Sequence, residues 1–196
     1  MGKGLFRFDV KTIVEIALFC ALAIVLDTFV KIPLGATGGS INVSMIPLLI
    51  IALRHGWFKA LFAGGIVYGF ITCLIDGYGI VCYPLDYFVG FGSICIVGLV
   101  APYVNSNFAK SPMGTIISYL LVIGSVGLWA TTRFFASSLS SVLVYSYSWE
   151  AAFIYNVSYI FISAIADIVM LSLLLYIIVK LNKIYPTYYI KSLRNY

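Results

Sequence analysis

Asp86, Arg133 and Asn156 each interrupt an apolar run, and they are the residues of this chain whose types invite chemistry. A carboxylate moved into hydrocarbon costs several kcal/mol, so residues of this kind face a bundle interior and usually act there. Tyr87, Tyr145, Tyr147, Trp149, Tyr155 and Tyr159 lie close to them along the chain, and Ser137 stands four residues beyond Arg133. Aromatic faces beside a carboxylate make a receptor for a flat cationic ligand, through stacking, cation–π attraction and charge pairing. For any single aromatic, a membrane-interface belt is an equal reading. That belt explains Trp149 and Tyr145 well, but not a carboxylate and a carboxamide at the same depth. Two further readings stay open: Asp86 pairs with Arg133 inside the bundle, and Asn156 makes a helix–helix hydrogen bond.

The elements that must position these groups are membrane helices. Of the residues, 62% are hydrophobic and only 10% charged, against roughly 25% charged in a soluble domain. Too few charges remain to cover a soluble fold. Apolar runs of about 20 residues, the length that crosses a bilayer, recur along the whole chain. The expected fold is an all-α membrane protein of six transmembrane helices in a single domain over residues 1–196. The spans fall at about 12–30, 41–55, 57–75, 80–104, 113–136 and 151–179. Breakers separate them: Pro33 and Gly35, Arg54-His55-Gly56, Asp76-Gly77, Asn105 through Pro112, and the Ser/Tyr-rich stretch 144–149.

The basic residues orient the chain. With both termini in the cytoplasm, Lys3, Arg7, Lys11, Arg54, Lys59, Lys110, Lys180, Lys183, Lys191 and Arg194 all fall inside, and only Lys31 falls outside. The fourth span then runs inward and puts Asp86 about 9 Å from its outer end. Arg133 and Ser137 come near the outer end of the fifth span, and Asn156 about two turns into the sixth. Three spans therefore bring polar groups to one level in the outer part of the bilayer. Asp167 and Glu15 lie deeper, where interhelical hydrogen bonds are expected of them, and Asp27 is close enough to the outer end to reach water. The net charge of +5 reports topology before it reports any nucleic-acid partner.

Several chemistries have no residues to support them. Cys20, Cys73, Cys82 and Cys95 show no CxxC or Cys/His metal spacing, and His55 is the one histidine. There is no GxxxxGK[ST], HExxH or GxSxG motif, so neither a metal nor a cofactor is expected and an enzyme is not the reading. Ala17 and Ala21 stand four apart in EIALFCALA, a small-residue face that lets another helix approach closely. The segment GGSINVSMIP, residues 38–47, reads either as a plain connection or as a loop packed over the outer cluster as a gate.

With these pieces in view, the chain resembles the thiamine-specific substrate-binding (S) component of energy-coupling factor transporters. The resemblance rests on VEIALFCALAIVLD (14–27), GGSINVSMIPLLIIALRHG (38–56), LDYFVGFGSICIVGL (85–99), RFFASSLSSVLVY (133–145) and YNVSY (155–159). It implies a six-helix protein of the bacterial plasma membrane that binds thiamine near the outer surface. The implied partners are a transmembrane coupling subunit and two ATPase subunits. It implies substrate contacts for Asp86, Tyr87, Tyr145 and Asn156, and a docking face at Ala17 and Ala21. The chain departs from the family pattern at Ser137, where the family has a ligand-contacting histidine, at Ala151, where it has a binding tyrosine, and at Gly38, where some members have tryptophan. Ser137 and Trp149 complete the expected site. The departures leave room for another small heterocycle, such as a pyrimidine precursor, as the ligand. A membrane scaffold without a ligand is the alternative from outside transport.

The ten-to-one distribution of basic residues predicts that a tag at either terminus is reached only from the cytoplasmic side. Labelling of a terminal tag from outside intact cells is the measurement, and a positive signal there overturns the six-span orientation.

Overall fold

The computed structural model describes residues 4–33 and 39–194. Helix α1 covers Val10–Phe29. It starts at Asp9, whose side chain accepts from the Thr12 backbone N–H and from the Thr12 hydroxyl. That bond to the Thr12 hydroxyl holds the Asp9 carboxyl below its ordinary range, against the opposing effect of burial. Two short strands follow, β1 (Lys31–Pro33) and β2 (Ser40–Asn42), paired antiparallel with Ile32 opposite Ile41. Helix α2 covers Met45–His55. Four longer helical rods complete the bundle: α3 (Trp57–Asp76), α4 (Ile80–Asn107), α5 (Pro112–Tyr145) and α6 (Trp149–Ile184). A terminal helix, α7 (Tyr188–Arg194), packs Tyr189 and Ile190 into the core.

Five of these helices, α1 and α3 to α6, are long and apolar enough to cross a membrane. The expected second span is shorter than the sequence suggests. Residues 40–42 join the hairpin instead, because the Asn42 side chain accepts from both the backbone N–H and the hydroxyl of Ser44 and caps the turn into α2. The remaining 11 residues of α2 make a rod of about 16 Å, half the hydrocarbon thickness. This helix is buried on nearly every side, so it is a core rod wrapped by the others. Conversely, α5 runs to Tyr145 rather than stopping near 136. Its late serines do not break it, since Ser141 returns its hydroxyl to the Ser137 carbonyl within the helix.

At one end of the bundle a polar knot ties the helices together. Glu15 of α1 receives Arg54 Nε at 3.1 Å and Nη2 at 2.9 Å, and meets His55 Nε2 at 2.8 Å. Arg54 also donates to Asn182 Oδ1 at 2.7 Å, and Asn182 donates to Asn105 Oδ1 at 2.7 Å. Thr187, just before α7, donates to the Arg54 carbonyl. Arg54 and His55 are buried, so this knot joins α1, α2, α4, α6 and the approach to α7 where no water can substitute. Glu15 thus makes the interhelical bonds expected of it. Asp167 does not: it is fully buried with no hydrogen-bond partner among the described residues. The Ser163 hydroxyl, one turn away, accepts from the Asn42 backbone N–H instead.

The start of α3 and the middle of α4 meet backbone to backbone. A Cβ at Gly98 would lie 2.4 Å from the Trp57 nitrogen and 2.5 Å from its Cα. Neither can move without shifting α3, so overpacking here costs about 1–3 kcal/mol. Gly124 on α5 has nothing within 4 Å of such a Cβ, and there alanine relieves the helix penalty of glycine, up to about 1 kcal/mol. Thermal unfolding in detergent is predicted to show Gly98→Ala melting several degrees lower and Gly124→Ala unchanged or higher. Equal melting of the two variants refutes the close contact.

Candidate functional site

At the end of the bundle opposite the Glu15–Arg54 knot, five helices and the hairpin enclose a cavity of ≈ 150 Å³. Helix α5 contributes a stripe at spacing four, Arg133, Ser137, Ser141 and Tyr145. Residues four apart share a helix face, so the extra turns beyond 136 form the wall. Helix α6 contributes Tyr155, Asn156 and Tyr159, and α4 contributes Asp86, Tyr87 and Phe91. The segment Tyr83–Val89 of α4 is π-helical. Such wide turns recur at functional sites, and here one carries both Asp86 and Tyr87.

Hydrogen bonds hold the lining in place. Asn156 donates to Ser141 Oγ at 3.2 Å and to the Ala152 carbonyl at 2.9 Å, while its Oδ1 accepts from Tyr159 at 2.8 Å. It is both the helix–helix bond and a wall of the cavity. The Tyr87 hydroxyl donates to Asp76 Oδ2 at 2.9 Å. Tyr145 Oη lies 3.0 Å from Cys82 Sγ. Asp86 lines the cavity beside Ser137 and Arg133, and the buried Ser140 hydroxyl makes no hydrogen bond among the described residues.

The direct Asp86–Arg133 pair is not formed. Among the described residues the only ion pairs are those of Glu15. Arg133 instead lays its guanidinium over the Phe91 ring, 4.6 Å from the centroid, with Trp129 at 5.9 Å. Trp129 is anchored by its own bond to the Gly90 carbonyl. A cation resting on rings needs no carboxylate to stay in place, which leaves Asp86 uncommitted to any base.

The hairpin closes one side. Asn42 of β2 donates its amide to Asp27 Oδ1 at 2.8 Å and its backbone N–H to Ser163 Oγ at 3.2 Å, joining α1 to α6. Gly39 comes so near the α6 rings that a Cβ there would sit 2.8 Å from Tyr159 and 2.9 Å from the Tyr155 hydroxyl. Only a residue without a side chain fits that approach. Of the segment 38–47, Gly38 alone lies outside the described residues, and Met45–Pro47 belong to α2.

Of the residues expected from sequence, Asp86, Tyr87, Ser137, Tyr145 and Asn156 come together around this cavity. Trp149 does not join them: it is 52% exposed and packs on Phe153. Ala151, on the same turn, is exposed as well. Ala17 and Ala21 are both exposed on the outer face of α1, the least buried of the five long helices. Sequence reasoning missed Asp27 and Asp76 as lining residues. Asp76-Gly77 reads as a helix breaker and Asp27 as a water-reaching end, yet both stand at the same ends of their spans as Asp86. The basic-residue orientation carries that signal once all three acids are placed by depth. The cavity thus has three carboxylates, Asp27, Asp76 and Asp86, against two bases, Lys31 and Arg133. A concave, aromatic-walled, net acidic pocket suits a flat cation with hydrogen-bonding edges.

Comparison with known proteins gives three findings. The family described as "Thiamine transporter protein" matches residues 13–185. The thiamine transporter ThiT of Bacillus subtilis (strain 168) is 29% identical over 177 residues, covering 83% of this chain and 88% of that relative. The structure of ThiT from Listeria monocytogenes superposes with a TM-score of 0.65 at 24% identity, over 92% of this chain and 97% of that one. That structural likeness speaks for the fold.

Proposed function

The chain belongs to the thiamine transporter protein family, and from that premise we propose that it is a thiamine-binding S component whose ligand site is the acidic, aromatic-walled cavity. The single observation that carries the site is Asp86: a carboxylate inside the bundle, facing the cavity, with no basic group paired to it among the described residues. A buried charge without a partner is costly, and a cationic ligand supplies the partner. In this reading the thiazolium charge is met by Asp86 and the rings stack among Tyr87, Tyr145 and Tyr159. Asn156 and Ser137 offer hydrogen bonds to the ligand edges. The chain is a transport protein rather than an enzyme, as its relatives are named for transport.

The wider reading follows the same family. The protein sits in the bacterial plasma membrane as one domain. Both termini face the cytoplasm, and α2 counts as the sixth, shortened span. The cavity then opens outward and captures thiamine, and the β1–β2 hairpin covers it. A transmembrane coupling subunit docks on the exposed Ala17/Ala21 face, where small residues permit close helix approach, and two ATPase subunits drive uptake. Trp149 remains available at the rim as an interface aromatic. The carboxylates also suit another flat heterocyclic cation, so a vitamin panel accompanies the thiamine titration.

Charge-assisted contacts are worth roughly 1.5–3 kcal/mol, so Asp86→Asn is predicted to weaken thiamine binding about 10- to 100-fold. Isothermal titration with thermal unfolding of the same preparation checks this. Unchanged affinity in a destabilised variant makes Asp86 a purely structural residue.

Docking is tested separately. Ala17→Trp or Ala21→Trp is predicted to abolish co-purification of ATPase subunits and uptake in cells, while thiamine affinity of the isolated protein stays near wild type. Normal uptake by both variants removes that face from the assembly.

A further inference from the structure

Asp76 differs from the other two carboxylates of the cavity in where it stands and in how it is held. It ends α3 and is exposed, whereas Asp27 and Asp86 are half-buried beneath the surface. Its Oδ2 accepts from the Tyr87 hydroxyl at 2.9 Å, and Tyr87 is itself buried. That bond fixes a surface carboxylate at the rim instead of leaving it free to swing into solvent, and its Oδ1 is left without that donor. No base neutralises it: among the described residues no Lys, Arg or His nitrogen lies within 4.0 Å of Asp76. Lys31 lines the same cavity from β1, directly opposite Asn42 in the hairpin, whose side chain donates to Asp27 rather than to Asp76. Arg133 is drawn inward over Phe91. The rim therefore presents a fixed negative charge to whatever enters.

We propose that Asp76, positioned by Tyr87, is a charge-selecting residue of the cavity mouth that admits the unphosphorylated cationic ligand and rejects its phosphate esters. The inference rests on the reading that this cavity binds thiamine. A phosphate group carries about −1.5 to −2 charges at neutral pH. Esterification of the ligand hydroxyl thus turns a cation into a net anion while leaving the rings that the inner wall recognises unchanged. Discrimination between two molecules that share their rings has to come from a repulsive element met by only one of them. A fixed carboxylate at the entrance is such an element. It acts at a distance, so it selects in whichever direction the ligand lies. Asp86 holds the cation in both molecules and discriminates less, because it sits below the rim.

The experiment is titration of the purified full chain with thiamine and with thiamine monophosphate, at low and high salt. Wild type is expected to favour thiamine, with the preference shrinking as salt rises because exposed charges are screened. An exposed ion pair is worth up to about 1 kcal/mol. Asp76→Asn is therefore expected to lose up to about fivefold for thiamine and gain up to about fivefold for the ester, narrowing their ratio by up to about 25-fold. Asp76→Glu should keep the preference, and Tyr87→Phe should narrow it in part. An unchanged ratio in folded Asp76→Asn overturns the proposal. So does a wild-type preference that is absent or indifferent to salt, a readout that needs no variant to fold. Failure of wild type to bind either molecule instead overturns the thiamine reading on which the inference rests.

Discussion

A charge enclosed by membrane helices has to be answered from within the protein, and the two ends of this bundle answer that demand in opposite ways. Around Arg54 the charges are paired, and His55 Nδ1 alone of the knot is buried without a hydrogen-bond partner among the described residues. Glu15, His55, Asn182 and Asn105 engage one another in a closed set across four helices. Removing Glu15 strands the buried Arg54 charge, which costs several kcal/mol. Around Asp86 the answer is left open, with no ion pair to it among the described residues. The closed knot lets the open one exist, because it holds α1, α2, α4 and α6 in register without using any group from the cavity.

The same division explains the uneven packing. Helix α2 is buried along its length and serves as the post around which the others stand. Its N-terminal side meets the hairpin through Asn42 and Ser44, and its C-terminal end supplies Arg54 and His55. One short rod therefore connects the knot to the cavity. Helix α1 contributes Glu15 and Asp27 at its two ends but leaves a face with Ala17 and Ala21 uncovered. A helix fastened by polar bonds at each end and bare between them is suited to receive another helix in the membrane.

Arg133 shows how a cation is kept in a binding site without neutralising it. Its guanidinium rests on Phe91, beside a Trp129 ring that is fixed by the Gly90 carbonyl. A direct pair with Asp86 would have consumed the charge a cationic ligand needs. Asp167 is the polar group this account does not use. It is buried without a hydrogen bond among the described residues, and the structure offers no physical account of it.

Sequence by itself determined the membrane class, most of the long helices and the level at which the polar groups meet. Those properties follow from local quantities: runs of apolar residues, the side on which Lys and Arg collect, and a rise of 1.5 Å per residue along each helix. Depth along a span is one-dimensional, so Asp86, Ser137 and Asn156 were legible at one height. Direction around the helix axis, and the contacts of residues at helix ends, were not. Tertiary structure decided that Arg133 turns to Phe91 rather than to Asp86, and that Trp149 points away from the cavity. It also decided that residues 40–42 pair as a strand and shorten α2. Asp76 lines the cavity while bonded to the Tyr87 hydroxyl, a contact across 11 positions in sequence. Such choices depend on which partner lies within about 3 Å across the bundle, and no spacing along a single helix contains that distance.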